Sequence, residues 1–387
     1  MARPKKRNSN GEGSLFYDER KKLWSGYVSV GYQANGKIKR RCVYGKTKEI
    51  TREKMLAVEH ELHLGDYIDP TTLKVGEWLQ FWFDNYFLRN HRASTATIYR
   101  EHITGHIVPT LGALKLQKLR VENAQALVNE KRSLAPATVA KMVEVLKAAL
   151  KQAVVNGLIQ KSPVEGVILP KHDQKEIEFL TVDEQKALYE ALPDTDNGRA
   201  IRFIIATGLR ISELVGLRWS DVAEDSFTVR QGFVRTANFD AKEGDRKTTL
   251  TAGAPKSKAG KRTIPITPLI RALLGTQRSE YLQRRLAAGP DWQEHNLVFS
   301  SDNGSPKDPA NIRRTLSRAL DKAGLKHRGV HALRHTFATN YVRVSSDYVT
   351  LARLMGHSKV GVTLQLYCHS DDQTARETME LMWRMTL

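Results

Sequence analysis

Cysteine is nearly absent from this chain, with two among 387 residues, Cys42 and Cys368, too few for a disulfide framework and suited to a reducing compartment. Long apolar runs are missing as well. No stretch of eighteen or more hydrophobic residues occurs, which leaves no membrane-spanning helix in the sequence. The basic opening MARPKKRNSN has no hydrophobic segment behind it, so no secretory signal is expected and the cytoplasm is the expected location. Acidic residues are in deficit, 42 Asp plus Glu against 61 Lys plus Arg, for a net charge of +19 and a pI near 9.8. An excess of that size favours a polyanionic partner, and salt-sensitive nucleic-acid binding is the expected behaviour. Zinc ligands are lacking too. His331 and His335 share a helix face, but a zincin pair needs Glu where Ala332 stands, and no cysteine pair or third ligand is near.

What is present is enough for two or three domains with real cores, since 41% of the residues are hydrophobic. Residues 1 to 10 are polar and basic with no apolar period, as in a solvated arm. Two β-like runs follow, Leu23 to Tyr32 and Lys37 to Tyr44, joined by QANG, whose Asn35-Gly36 pair suits a hairpin turn. Lys37, Lys39, Arg40 and Arg41 crowd the second run, and Thr47 to Leu64 has helical periodicity. GDYIDPTT, from Gly65 to Thr72, marks a linker. Residues 73–170 then read as helical throughout, with a stripe of Val75, Leu79, Trp82, Phe83 and Tyr86, turns at Pro109, Gly112 and Pro136, and a long amphipathic helix from Thr138 to Val155. A charged crossing, LPKHDQKEIEF, leads to a third region over 177–387, where Thr181 and Glu184 form a capping box. Strand-like runs at Ser226 to Phe233 and Arg262 to Ile266 flank a basic turn, PKSKAGKRTIPI, and the segment 236–250 makes that connection longer than a hairpin needs. The expected fold class is mixed α and β: a small sheet plus helix over 1–66, an all-α domain over 73–170, and a mainly α domain with a small antiparallel sheet over 177–387.

Chemistry is concentrated from Gly329 to His369. His331 and Arg334 leave one face of a helix, His357 follows the helix stop at Gly356, and Tyr367 lies on the next apolar-periodic turn. A tyrosine hydroxyl is a weak nucleophile near neutrality, so using it requires cations around the electrophile and a separate proton acceptor. Arginine supplies the bidentate bonds that a phosphate's non-bridging oxygens accept, and histidine moves protons near its own pKa. A second arginine stands in ATGLRISELVGL, where Arg210 follows Gly208 at the turn between two apolar helices. Taken alone, Tyr367 would be an ordinary half-buried tyrosine. Only the ordered set singles it out.

That set, an arginine in GLRISEL, a lysine in a basic hairpin, HALRH, LMGHS and a tyrosine in a short closing helix, resembles the tyrosine recombinase, or phage integrase, family over nearly the whole chain. The resemblance implies DNA strand cleavage and rejoining through a 3′-phosphotyrosyl intermediate, with no metal and no cofactor. Arg210, His331 and Arg334 would hold the scissile phosphate, His357 would be the second histidine, and Tyr367 would attack. Lys256 is favoured as the general acid, and Lys258 on the same turn stays open. His335 and His369 have no role in the pattern and read as ordinary polar neighbours. The first region resembles an arm-site DNA-binding domain in which Lys37, Lys39, Arg40 and Arg41 would meet DNA. The second resembles a core-binding domain, with SPVEG at Ser162 to Gly166 carrying serine where the family usually has asparagine. Implied partners are double-stranded DNA at core-type and arm-type sites, a homotetramer on synapsed DNA, and a DNA-bending protein and a directionality factor. The tail from Ser370 to Leu387 reads as a short apolar helix suited either to its own domain or to a neighbouring protomer's groove, and the resemblance favours exchange between subunits. A type IB topoisomerase would share the chemistry without needing an arm-type domain, and a silent DNA-binding regulator would not need the five residues together.

Overall fold

The computed structural model describes residues 14–32, 36–64, 67–171, 177–255 and 258–367, with 379 and 382, the side chain of Lys258 excepted. The expectations for the basic arm, for Lys256 and for the tail after Tyr367 lie outside the described residues. The chain divides into two compact units, Met1–His91 with Ile98–His172 and Arg92–Thr97 with Asp173–Leu387.

Three antiparallel strands open the first unit, β1 (Ser14–Asp18), β2 (Leu23–Tyr32) and β3 (Ile38–Gly45), and α1 (Lys48–His63) packs across them. Valine alternates with polar residues on the strands, so Val28 and Val43 face Met55 and Val58 of the helix. A Cβ on Gly26 would stand 2.4 Å from Met55 Sδ, so this glycine sets how close helix and sheet can lie. Thr47 caps α1 by accepting from the Ile50 amide. The cations on β3 do not form one row. Arg40 is exposed, whereas Lys39 pairs with Asp69 and the Arg41 guanidinium lies 5.6 Å from the centre of the Tyr67 ring.

Five α-helices follow among the described residues, α2 (Val75–Trp82), α3 (Ala93–His102), α4 (Val108–Leu111), α5 (Val121–Glu130) and α6 (Pro136–Val155), with short π and 3₁₀ turns between them. Val75, Leu79, Trp82 and Phe83 of the stripe are core, as their spacing predicts, but Tyr86 is exposed, because the wider π-helical turn Phe83–Phe87 brings Phe87 inward in its place. The Trp78 indole donates to the Ala149 carbonyl at 3.0 Å. Pro136 differs from expectation. It occupies the first position of α6, where its missing N–H leaves nothing unpaired, so it starts the helix instead of marking a turn before Thr138.

The second unit runs α7 (Val182–Ala191), α8 (Asp196–Thr207), α9 (Ile211–Leu214), β4 (Ser226–Val229), β5 (Gly232–Ala237), β6 (Thr248–Gly253), β7 (Arg262–Pro265), α10 (Pro268–Ala288), α11 (Pro309–Lys322), α12 (Val330–Val344), α13 (Tyr348–Met355) and α14 (Val360–Tyr367). The Thr181–Glu184 capping box forms at the start of α7. Helix α8 runs through the middle against α10, α11 and α12, and its Ile201, Phe203 and Ile204 are fully buried. Phe203 meets the rings of Phe227 and Phe299, each at 5.5 Å.

The strands depart from expectation. Ser226 to Phe233 is not one strand: β4 pairs with β7, while β5 pairs with β6 in a separate antiparallel ribbon that takes up the 236–250 segment. Two contacts break the run. Arg230 turns back to Asp221 at 2.8 Å, and a Cβ on Gly216 would come within 2.7 Å of Gly232 Cα, so the backbones touch where the chain leaves the first sheet.

Candidate active site

Helix α8 ends at Gly208, whose φ of +65° is open to glycine at little cost, and the reversal sets Arg210 at the cap of α9. Glu213, one turn on, accepts from Arg210 Nη1 at 2.7 Å and from the Arg210 amide at 3.0 Å. The same carboxylate takes Arg262 Nη1 at 3.1 Å and Nη2 at 2.8 Å. Burial alone would raise the pKa of Glu213, but the bonds and charge of Arg262 and the charge of Arg210 outweigh it and hold the carboxyl below its usual range. Arg262 also donates to the Leu354 carbonyl at 2.6 Å, which ties β7 to α13. The sequence reading gave Arg262 no role, because a buried arginine on a strand looks like any basic strand residue.

Arg334 lies on α12, 2% exposed, and is held from three sides. Its Nη1 donates to the Gly208 carbonyl at 2.7 Å, and its Nη2 meets the Met355 carbonyl and His357 Nε2, the latter at 3.2 Å. With five N–H donors on a guanidinium, two stay uncommitted among the described residues for an anion. Burial and then the charge of Arg210 lower its pKa, yet a guanidinium remains a cation at neutral pH. His357 is completed by Thr363 Oγ1 at 2.8 Å from its Nδ1. Burial, followed by Arg334, Arg210 and Arg262, brings His357 down to about 4.

His331 stands at the rim of the site, on the face of α12 that carries Arg334. The protein crowded around its ring lowers its pKa, and Arg334 and Arg210 push the same way. Between His331 and Arg210 lies a cavity of about 380 Å³ with Arg313, His327 and Arg328 in its lining. Its walls carry cationic and imidazole groups and no carboxylate, a lining that suits an anion.

Tyr367 ends α14 with 6% exposure, packed on Ala338, Leu351 and Met355. Burial pushes its phenol up to about 12, although the charge of Arg334 works against that rise. Its hydroxyl meets His335 Nδ1 at 2.5 Å. His335, which reads in the sequence as an ordinary polar neighbour, is thus in direct contact with the candidate nucleophile. Its position one residue after Arg334 carried no signal, because only the fold brings α14 against that turn of α12. Of the remaining expected residues, Lys258 opens a one-turn 3₁₀ helix, Lys258–Gly260, and Lys37, Lys39, Arg40 and Arg41 belong to the first unit. Among the described residues no group of three His, Cys, Asp or Glu is close enough to hold a metal.

The phage integrase family model matches residues 178–374, and the model of the phage integrase N-terminal SAM-like domain matches residues 74–132. A tyrosine recombinase XerC-like protein of Caldanaerobacter subterraneus subsp. tengcongensis is 27% identical over 355 residues, covering 88% of this chain and 91% of its own. The Tn1549 transposon integrase in complex with a circular intermediate DNA has a similar fold, with a TM-score of 0.63 at 21% identity, over 80% of this chain and 99% of that one. A lambda integrase tetramer bound to a Holliday junction is similar over 91% of this chain and 97% of that one, with a TM-score of 0.56 at 19% identity.

Proposed function

The chain belongs to the phage integrase family, and from that premise we propose that Arg210, His331, Arg334, His357 and Tyr367 carry out its site-specific DNA recombination. The protein cleaves and rejoins DNA strands through a covalent link between a tyrosine and a 3′ phosphate, as a recombinase of a mobile element. Tyr367 attacks the scissile phosphorus. Arg210 and Arg334 hold the non-bridging oxygens and stabilise the charge that grows on them, a preorganised arrangement that costs no rearrangement at the moment of reaction. The observation that carries this reading is the buried Arg334, which bonds the Gly208 carbonyl at the end of α8 and His357 after α13 at once, leaves two guanidinium donors uncommitted among the described residues, and acts by its charge on the Tyr367 phenol. An arriving phosphodiester is an anion, so it raises the pKa of His331 and His357 and lets either imidazole donate to it.

Lys256 is proposed as the general acid for the leaving 5′-oxygen, with Lys258 as the alternative two residues on. The first 66 residues are proposed to bind arm-type sites and 73–170 to bind core-type sites. Recombination needs two duplexes, and the lambda integrase tetramer on a Holliday junction supports a homotetramer here. A DNA-bending protein, a directionality factor and the bacterial cytoplasm complete the proposed setting. A topoisomerase or a silent regulator is disfavoured, since the relatives are recombinases and integrases.

The test is Tyr367→Phe, which removes only the attacking oxygen. Covalent protein–DNA adducts should vanish from denaturing gels while duplex binding stays within about twofold of the unsubstituted protein. Adducts that persist would assign the attack elsewhere.

A further inference from the structure

The proposed chemistry leaves one proton without a destination: the phenolic proton that Tyr367 loses as its oxygen bonds to phosphorus. We infer that His335 Nδ1 accepts that proton, which makes His335 a catalytic residue of strand cleavage. The inference rests on Tyr367 as nucleophile. It is carried by the direct contact of His335 Nδ1 with the Tyr367 hydroxyl at 2.5 Å. Among the described residues no other hydrogen bond reaches that hydroxyl, and at 6% exposure the tyrosine has little water to release its proton to. The other two histidines are directed elsewhere. His357 is held between Arg334 and Thr363, and His331 packs edge-on against the His335 ring with centroids 4.7 Å apart, one helical turn from the tyrosine's partner.

The step balances. The Tyr367 Oη–P bond forms as the P–O5′ bond breaks, the phenolic proton passes to His335 Nδ1, and the leaving 5′-oxygen takes its proton from a separate acid. In the rejoining direction the His335 imidazolium returns the proton to the phenolate as the 5′-hydroxyl attacks. The step requires the tautomer of the neutral imidazole that carries its ring proton on Nε2, which leaves the Nδ1 lone pair for the phenol.

The resting protein is kept from cutting by the same surroundings. The titratable and charged groups around His335 are His331 and Arg334 on its own helix, His357 after α13 and Tyr367 on α14. Burial first, then His331 and Arg334, bring its pKa down to about 4, while the phenol stands at about 12. With that order the proton stays on the tyrosine. A phosphodiester seated on Arg210 and Arg334 offsets their positive field and raises His335, and loss of electron density from the phenolic oxygen to phosphorus lets the proton go. The base is therefore switched on by the substrate's own charge.

The decisive comparison is His335→Gln in the full-length protein, because an amide oxygen can accept the phenol's hydrogen bond but cannot take its proton. Single-turnover cleavage is read on saturating nicked DNA with a normal phosphodiester and with a 5′-bridging phosphorothiolate, whose leaving group needs little protonation. The expected result is a rate about 10²- to 10⁴-fold lower on both substrates, the range of a lost general base. The residual rate should climb about tenfold per pH unit from pH 6 to 9 as hydroxide replaces the imidazole, where the unsubstituted protein is nearly flat. Added imidazole should restore part of the rate to His335→Gly. Unchanged cleavage by His335→Gln would reduce His335 to a hydrogen-bond acceptor, faster cleavage would make it a restraint on Tyr367, and recovery on the phosphorothiolate alone would move it to the leaving group. Each of these overturns the inference. If the variants bind DNA poorly or melt early, the unsubstituted protein decides: a rate that does not fall from pH 7 to pH 4 on the phosphorothiolate excludes an imidazole base. Adducts persisting in Tyr367→Phe would instead overturn the nucleophile itself.

Discussion

Glu213 determines more of the site than its single charge suggests, because one buried carboxylate serves both Arg210 and Arg262. Its removal leaves the buried Arg262 guanidinium with an uncompensated charge, a loss of about 3–5 kcal/mol. Glu213→Gln should therefore unfold at lower denaturant concentration and cut slowly even where folded, since Arg210 loses its tether. Chemical denaturation followed by single-turnover cleavage checks both. The pH dependence separates two groups. His331, His335 and His357 have lowered pKa values, so the unfolded chain binds more protons than the folded one below about pH 6.5. Their contribution is complete above that pH and is lost as pH falls toward 4. Glu213 is likewise lowered, so its contribution is present above the unfolded carboxylate value and is lost at still lower pH as the folded group protonates. Melting temperature should fall in two stages on acidification, and Glu213→Gln should lack only the second.

At the scale of elements, the α8 to α9 turn is where a small change reaches the chemistry. A Cβ on Gly208 would stand 2.5 Å from the Phe337 ring, and the left-handed backbone adds about 1–2 kcal/mol for any other residue. Gly208→Ala should lower the melting temperature by at least about 2–4 °C, as 1 kcal/mol does in a domain of this size. Cleavage should fall further than the unfolded fraction explains, because the Gly208 carbonyl holds Arg334. A rate that simply tracks the folded fraction would detach this turn from the site.

Across the whole molecule the surplus of positive charge sets how it meets DNA. Each phosphate neutralised by Lys or Arg releases counterions and steepens the salt dependence of binding. Removing residues 1–66 should leave core-site cleavage within about twofold while abolishing binding to distinct arm-type sites and lowering the salt slope on them. Competition binding at about 150 mM salt, where non-specific affinity is weakened, decides it. Lys39 and Arg41 are tied to Asp69 and Tyr67, so Arg40 on the open side should contribute more to that binding than either.

Much of this was legible before any coordinates. Thr47 announces the start of α1, Thr181 with Glu184 the start of α7, and Gly208 and Gly356 the ends of α8 and α13, because caps and left-handed stops are settled locally between a residue and its own backbone. The order of GLRISEL, HALRH, LMGHS and the closing tyrosine carries the resemblance to the tyrosine recombinases, and the chemistry was legible as what that resemblance implies. Pairings that join distant parts of the chain were not legible. Nothing near Glu213 in sequence tells that Arg262 shares its carboxylate, nothing near Ser226 tells that β4 passes over its neighbour to pair with β7, and nothing near His335 tells that it takes the hydroxyl of Tyr367, 32 positions away. Those contacts depend on how whole helices and strands pack, and packing is decided by the fit of buried surfaces that no short stretch contains.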